Sequence, residues 1–163
     1  MPSSAMTKTL SDPIQLIYAG GTFGSYGRPL APLSAEVFLP TLQKLLADQD
    51  NAINLPKISW LDNPLIKDSS QLTPSDFTHF YQLLLTAYAQ GDKRFVVITG
   101  TDTLSYLGAF LAEAFAGSDI CVVVTGSMRP LLNSENLHAY NIDAHSDAWD
   151  NLNEALKLAA AGE

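Results

Sequence analysis

The chain has 163 residues, of which 47% are hydrophobic and 16% charged, so a single globular domain with a real core is expected. Its 9 basic and 17 acidic side chains give a formal net charge of −8, and the basic ones are scattered, which argues against a nucleic-acid-binding protein. No apolar run reaches the length of a membrane span. Cys121 is the only cysteine, which excludes an internal disulfide framework.

The chain begins with MPSSAMTKTLSDP, which has no apolar segment of signal-peptide length. We interpret residues 1–13 as a flexible leader before a domain at residues 14–163, and a cytoplasmic protein is the expectation. His79, His138 and His145 are too dispersed for a zinc site, so no metal is predicted. The glycine-rich stretch AGGTFG does not match the dinucleotide fingerprint and no GKS or GKT occurs, so no cofactor is predicted.

Apolar runs and amphipathic segments alternate along the chain. Thr73 followed by Pro74 is typical of a helix start, Asp102 is placed to cap another helix, and Pro56 indicates an edge strand. His79 lies off the apolar stripe of its helix and is interpreted as a surface residue. The pattern predicts strands at residues 14–19, 53–61, 95–99 and 120–125, and helices at residues 35–47, 74–90, 103–115 and 147–160.

Strands that alternate with helices indicate right-handed parallel βαβ units. The sequence therefore predicts an α/β fold with a doubly wound, mostly parallel sheet of the flavodoxin or Rossmann-like type. In the strand order 2-1-3-4, the winding reverses between the first and third strands, and ligands of such sheets bind at that point.

Three of the predicted strands end in glycine followed by a hydroxyl residue. The first ends in Gly20-Gly21-Thr22, the third in Gly100-Thr101-Asp102 and the fourth in Gly126-Ser127. We expect a rim lined with hydroxyl groups, because the carboxyl ends of parallel strands share one edge of the sheet. The loop after the second strand should bring Ser69 and Ser70 to the same crevice. The alternative is that these side chains only cap turns and helices.

Five segments, in order, resemble the bacterial-type L-asparaginase family. AGGTFGS resembles the family's TGGTI motif, and KDSSQLTPSDF resembles its DSSxxTPxD segment. ITGTDTLSYLGAFLAEAF resembles its HGTDTM segment, and VVVTGSMRP resembles the strand and turn that follow. HSDAWDNLNEAL is similar to its SDGxxNLxxA stretch, with Ala148 in place of the glycine.

The resemblance implies hydrolysis of the side-chain amide of L-asparagine, with L-glutamine as a second candidate substrate. It implies a threonine nucleophile, an activating loop tyrosine, a second threonine and a substrate-binding aspartate. It also implies serine contacts to the substrate α-carboxylate and glycines that keep the backbone close to the ligand. The matching residues are Thr22, Tyr26, Thr101 and Asp102 for catalysis, with Gly21, Ser69, Ser70, Gly100, Thr101 and Asp102 binding substrate.

The sequence departs from the family in three respects. The second domain and the catalytic lysine, which lies beyond the last matched helix in the family, have no counterpart here, and Thr99 replaces the histidine before GTDT. His138 or His145 could act as a base in place of the lysine, whereas Arg129 cannot, and solvated loop histidines are the simpler interpretation. An amino-acid-binding or regulatory module without catalysis, or a scaffold without a ligand, is the alternative to an enzyme. The missing domain should expose an apolar face, which predicts a homodimer.

Overall fold

The computed structural model describes residues 12–49, 56–67 and 71–162. The elements in this part of the chain follow the alternation that the sequence predicts. They are β1 (Ile14–Tyr18), β2 (Ser25–Tyr26), β3 (Ala31–Pro32), α1 (Ala35–Gln49), β4 (Ile58–Trp60), α2 (Pro74–Ala89), β5 (Arg94–Ile98), α3 (Leu104–Ala114), β6 (Cys121–Thr125) and α4 (Ala148–Ala161). None of these helices is both long and apolar enough to cross a membrane, and this holds for the described ranges only.

The main sheet has four parallel strands in the order β4-β1-β5-β6. Ile14 of β1 pairs with Ile58 on one side and with Arg94 on the other, and Arg94 pairs in turn with Cys121. This order confirms the predicted doubly wound α/β fold. A separate antiparallel pair, β2 with β3, forms a hairpin in the loop after β1.

Apolar side chains cover both faces of the two central strands, as expected for a parallel sheet buried between helices. One core cluster joins Leu16 and Val96 to α1 and α4, and the other joins Ile17 and Val97 to α2 and α3. The helices therefore form a layer on each side of the sheet, and the carboxyl ends of the strands remain at one open edge.

Helix α2 begins as its sequence predicts. The Asp76 carboxylate accepts the Thr73 backbone N–H at 2.8 Å, which completes a capping box, and Pro74 is the first helical residue. The hydrogen bond from the Thr73 backbone is the main reason that the pKa of Asp76 lies below its usual value, and Lys67 adds to this effect.

Two predictions from the sequence need correction. Within the described residues the second strand spans Ile58–Trp60, where it pairs with β1 over three residues, and the predicted residues 53–55 lie outside the described part of the chain. His79 is not a plain surface residue: it is half-buried, and its Nε2 lies 2.9 Å from Oδ1 of Asn63. A position beside the apolar stripe of a helix can therefore still meet a neighbouring loop.

Candidate functional site

The glycine turns after β1 and β5 touch at the open edge of the sheet. Gly20 and Gly21 have φ angles of +89° and +84°, which side-chain-bearing residues rarely adopt. A Cβ on Gly21 would lie 2.5 Å from the backbone N of Gly100 and 2.6 Å from its Cα. A Cβ on Gly126 would overlap the carbonyl O of Thr99. Glycine is therefore needed here because the turns pack backbone against backbone.

Thr22 opens a short 3-10 helix, Thr22–Gly24, directly after this contact. Phe23 is fully buried and packs edge-to-face on Phe38 with ring centroids 6.0 Å apart. The Ser25 hydroxyl donates to the carbonyl O of Gly21 at 2.9 Å, and the Leu131 N–H donates to that of Phe23 at 3.0 Å. These anchors fix the turn, while Thr22 itself stays half-buried without a hydrogen-bond partner for its hydroxyl among the described residues.

The second threonine and its aspartate lie on an exposed turn between β5 and α3. Asp102 does not cap α3 as the sequence suggested, because the helix begins at Leu104 and Thr103 occupies the capping position. Within residues 12–49, 56–67 and 71–162, the side chains of Thr101 and Asp102 have no hydrogen-bond or ion-pair partner. Their polar groups thus remain available to a ligand at this edge.

Asn63, which sequence reasoning missed, joins the loop after β4 to the end of β1. Its buried Nδ2 donates to the carbonyl O of Tyr18 at 3.0 Å and to that of Leu65 at 2.9 Å, and His79 binds its Oδ1. The Asn63-Pro64 dipeptide is a turn signal that could have indicated this position. The amide therefore directs the loop along the open edge of the sheet.

Lys67 is the last described residue before the serine segment. Its backbone N–H donates to the carbonyl O of Ala19 at 3.3 Å, and its ammonium pairs with Asp76 at 3.0 Å. A Cβ on Gly20 would lie 2.6 Å from the carbonyl O of Lys67, so the loop contacts the first glycine turn. The predicted contacts of Ser69 and Ser70 lie outside the described residues and stay a prediction.

Tyr26, the predicted activating residue, lies in the hairpin that follows Thr22. Its hydroxyl donates to the carbonyl O of Asn136 at 2.9 Å, and its ring packs on Tyr140 with centroids 5.0 Å apart. The hairpin is also held by the Gly27 N–H, which donates to the hydroxyl of Ser134 at 3.1 Å. In this arrangement the phenolic proton is directed to the loop after β6, and the role of Tyr26 toward Thr22 stays a prediction.

The third turn differs from the prediction of a rim lined with hydroxyl groups. Ser127 is buried, and its hydroxyl donates to the carbonyl O of Arg129 at 2.5 Å instead of facing the rim. Asp147 holds this turn, because its carboxylate accepts the N–H groups of Met128 at 2.9 Å and Arg129 at 3.1 Å. From the sequence Asp147 was predicted only as the start of a helix, and its hydrogen bonds to the backbone of Met128 and Arg129 were not predicted.

Burial is the largest influence on the pKa of Asp147 and acts to raise it. The backbone N–H groups of Met128 and Arg129, with the side chain of Asn151, outweigh burial, and the pKa of Asp147 lies below its usual value. Asp147 is therefore a charged clamp on the turn after β6.

Two buried hydroxyl groups next to the Thr101 turn have no hydrogen-bond partner in the part of the chain that the structure describes. Thr99 is fully buried, and neither its Oγ1 nor that of Thr103 has a hydrogen-bond partner among the described residues. Thr99 follows β5, and its backbone N–H donates to Thr125 at 2.9 Å, so the backbone is satisfied although the side chain is not. A buried hydroxyl without a hydrogen-bond partner costs free energy in the folded state.

The candidate bases of the loop after β6 are solvent-exposed. His138 and His145 are both exposed, which agrees with solvated loop residues, and Arg129 donates to the carbonyl O of His145 at 3.2 Å. Among the described residues, no group of three or more His, Cys, Asp and Glu side chains could hold a metal ion.

The fold and site together define an α/β domain with threonine-bearing glycine turns at the switch point of a parallel sheet. Residues 13–163 match the family described as Asparaginase, N-terminal, and the chain therefore belongs to the asparaginase family. It is 30% identical over 152 residues to L-asparaginase 1 of Escherichia coli (strain K12), an alignment that covers 90% of this chain and 40% of that protein. It is also 34% identical over 96 residues to the L-asparaginase of Thermococcus kodakarensis, covering 58% of this chain and 26% of that one.

Solved structures show the same similarity. L-asparaginase I from Vibrio cholerae superimposes with a TM-score of 0.71 at 27% identity, covering 91% of this chain and 40% of that one. The thermostable L-asparaginase from Thermococcus kodakarensis gives a TM-score of 0.70 at 27% identity, covering 92% and 41%. The chain thus spans less than half the length of these relatives, and the match to their fold confirms the family resemblance.

Proposed function

We propose that this chain is an amidohydrolase of the L-asparaginase type, which hydrolyses the side-chain amide of L-asparagine, with L-glutamine as a second substrate. The observation that carries the proposal is the packing of Gly21 against Gly100, which joins the turns of Thr22 and Thr101. Asp102 extends this pair with a carboxylate that is not used to cap the helix. Thr22, Thr101 and Asp102 thus present three polar side chains beside one backbone contact, and none of them is bonded within the described part of the chain.

The chemistry follows from the residue types. The Thr22 hydroxyl oxygen attacks the amide carbon, and Tyr26 takes part in removing the hydroxyl proton. The C–N bond then breaks, ammonia leaves with a proton, and water hydrolyses the ester to aspartate and free Thr22. A backbone N–H or the hydroxyl of Thr101 stabilises the oxyanion in both steps.

Substrate binding requires complementary charges at the two ends of the amino acid. We propose that Asp102 pairs with the substrate ammonium and that Ser69 and Ser70 bind its α-carboxylate. Gly21 and Gly100 let the two turns pack backbone against backbone, which keeps the backbone of both turns close to the ligand.

Ammonia release from L-asparagine and L-glutamine by the purified chain tests this proposal. Thr22→Ala should abolish release, whereas Thr86→Ala, which removes an exposed hydroxyl in α2, should leave it unchanged. Equal release by the wild type and Thr22→Ala would remove the enzymatic proposal. The alternative, a non-catalytic amino-acid-binding module, is favoured if L-aspartate raises the melting temperature while no ammonia appears.

We also propose that the chain forms a homodimer in the cytoplasm. The segments that follow the carboxyl ends of the strands carry most of the strongly exposed large apolar side chains that the structure describes, with Met128 74% and Tyr106 68% exposed. We infer that these side chains contribute to an interface, because large exposed apolar surfaces commonly mark protein contacts. Static light scattering that gives the mass of a monomer at micromolar concentration would contradict the dimer.

A further inference from the structure

A cavity lies between the β2–β3 hairpin and the loop after β6. Its volume is about 240 Å³. Arg28 and Leu30 line it from the hairpin, and Arg129, Leu132, Glu135 and Asp143 line it from the other loop. None of the residues proposed above for amide hydrolysis lines this cavity.

The frame of the cavity is held by backbone pairing. Leu132 and Ile142 form an antiparallel bridge, and the N–H of Asp143 donates to the carbonyl O of Leu131 at 2.8 Å. The Ser134 hydroxyl accepts the N–H of Gly27 at 3.1 Å, which ties the hairpin with Arg28 to the other wall. Both walls are therefore fixed by hydrogen bonds.

The charges that line the cavity are of both signs and are not paired with each other. Arg28, Arg129, Glu135 and Asp143 form no ion pair within 4.0 Å inside the described part of the chain. Among the described residues, the guanidinium of Arg129 donates only to the neutral carbonyl of His145, and one oxygen of Asp143 accepts the backbone N–H of His145 at 2.9 Å. A simple anion would meet the two carboxylates, and a simple cation would meet the two guanidinium groups.

We propose that this cavity binds a free α-amino acid with an aliphatic side chain. The arginines would bind its carboxylate and the two carboxylates its ammonium, so each charge on the wall gains a partner. Leu30, which is 50% exposed, and the half-buried Pro130 provide an apolar surface for the side chain. A space of about 240 Å³ is below the range of drug-sized ligand sites and suits a molecule of amino-acid size.

Isothermal titration with L-leucine tests the proposal, together with two ligands that each lack one charge. These are 4-methylpentanoate, which lacks the ammonium, and 3-methylbutylamine, which lacks the carboxylate. Leucine should bind at least about tenfold more tightly than either, because each truncated ligand leaves one pair of wall charges unsatisfied. Two results would overturn the proposal. One is that leucine does not bind at concentrations up to about 10 mM. The other is that 4-methylpentanoate binds as tightly as leucine and that phosphate displaces it.

Variants locate the binding event. Arg28→Gln should weaken leucine binding about fivefold, because an exposed charge contact contributes modestly, while the matched exposed change Lys44→Gln should have no effect. Asp102→Asn should leave the affinity unchanged, and a loss of binding in this variant would assign the ligand to the other site and refute the proposal. Leucine binding at this cavity is measured separately from ammonia release, so a chain that does not hydrolyse amides could still bind leucine here.

Proton NMR of the histidine rings gives a second measurement of binding that does not rely on calorimetry. His145 lines the cavity, whereas His79 does not and is hydrogen-bonded to Asn63. Leucine should shift the His145 ring signals along a saturable curve and leave those of His79 in place. A shift of both signals, or of His79 alone, would contradict the assigned location.

Discussion

The packing of the glycine turns can be tested by adding single methyl groups at three glycines that differ in backbone angle and space. Gly21 has a φ of 84° and a ψ of −174°, and its Cβ would lie 2.5 Å from Gly100. Gly91 has a φ of +104° but nothing within 4 Å of its Cβ, and Gly126 has an ordinary φ but would overlap Thr99. Gly21→Ala therefore measures backbone strain together with steric overlap, Gly91→Ala measures backbone strain alone, and Gly126→Ala measures steric overlap alone.

The expected losses in the free energy of unfolding follow from these differences. Gly91→Ala should lose about 1–2 kcal/mol from the left-handed backbone conformation. Gly126→Ala should lose about 1–3 kcal/mol from overpacking against a backbone carbonyl. Gly21→Ala carries both costs and, since its backbone angles are accessible almost only to glycine, should lose about 4 kcal/mol.

Urea unfolding followed by the fluorescence of Trp60 and Trp149 measures all three losses. A domain of this size has a stability of about 5–15 kcal/mol, so a loss of about 4 kcal/mol stays within the measurable range. The reasoning is refuted if Gly21→Ala and Gly91→Ala differ by less than about 0.5 kcal/mol, because the turns of Gly21 and Gly100 would then not be in contact.

The remaining predictions concern hydroxyl groups and charge. Thr99→Val should leave the free energy of unfolding unchanged or raise it by up to about 1 kcal/mol. Tyr18→Phe removes the partly buried hydrogen bond of 3.0 Å to the carbonyl O of Leu33 and should lower the free energy of unfolding by about 1 kcal/mol. The reverse order in urea unfolding would contradict the assignment of Thr99 as unsatisfied. Because the pKa of Asp76 is lowered on folding, its contribution to stability is complete above the unfolded carboxyl pKa of about 3.9 and is lost as pH falls through the lower folded pKa. Asp76→Asn should thus flatten the acid limb of stability between about pH 5 and pH 2, and an unchanged limb would exclude this linkage. Tyr26→Phe should lower kcat for L-asparagine by about 10²–10⁴, while Tyr140→Phe, its ring partner, should change kcat by less than about twofold; equal effects would show that Tyr26 acts only through packing.

The strand order and the meeting of the glycine turns were predictable because they depend on local patterns. Apolar runs that end in glycine mark buried parallel strands, and the right-handed crossover rule then leaves few possible topologies. The capping box of Thr73 and Asp76 was predictable for the same reason, since all its atoms belong to neighbouring residues.

The contacts that were missed join residues far apart in the sequence. Asn63 is hydrogen-bonded to Tyr18 and His79, and Asp147 accepts hydrogen bonds from the turn after β6. The periodicity of the sequence does not predict these side-chain contacts. The predicted orientation of the Ser127 hydroxyl was also wrong. A hydroxyl at a turn can donate to a backbone carbonyl two residues away instead of facing the rim.

Mass spectrometry of rapidly quenched incubations with L-asparagine tests the central claim most directly. We expect a transient ester that adds the mass of asparagine less ammonia to the peptide containing Thr22, and that disappears as aspartate accumulates. If ammonia is released while that peptide stays unmodified and the adduct forms on the peptide containing Thr101, the assignment of Thr22 as the nucleophile is contradicted.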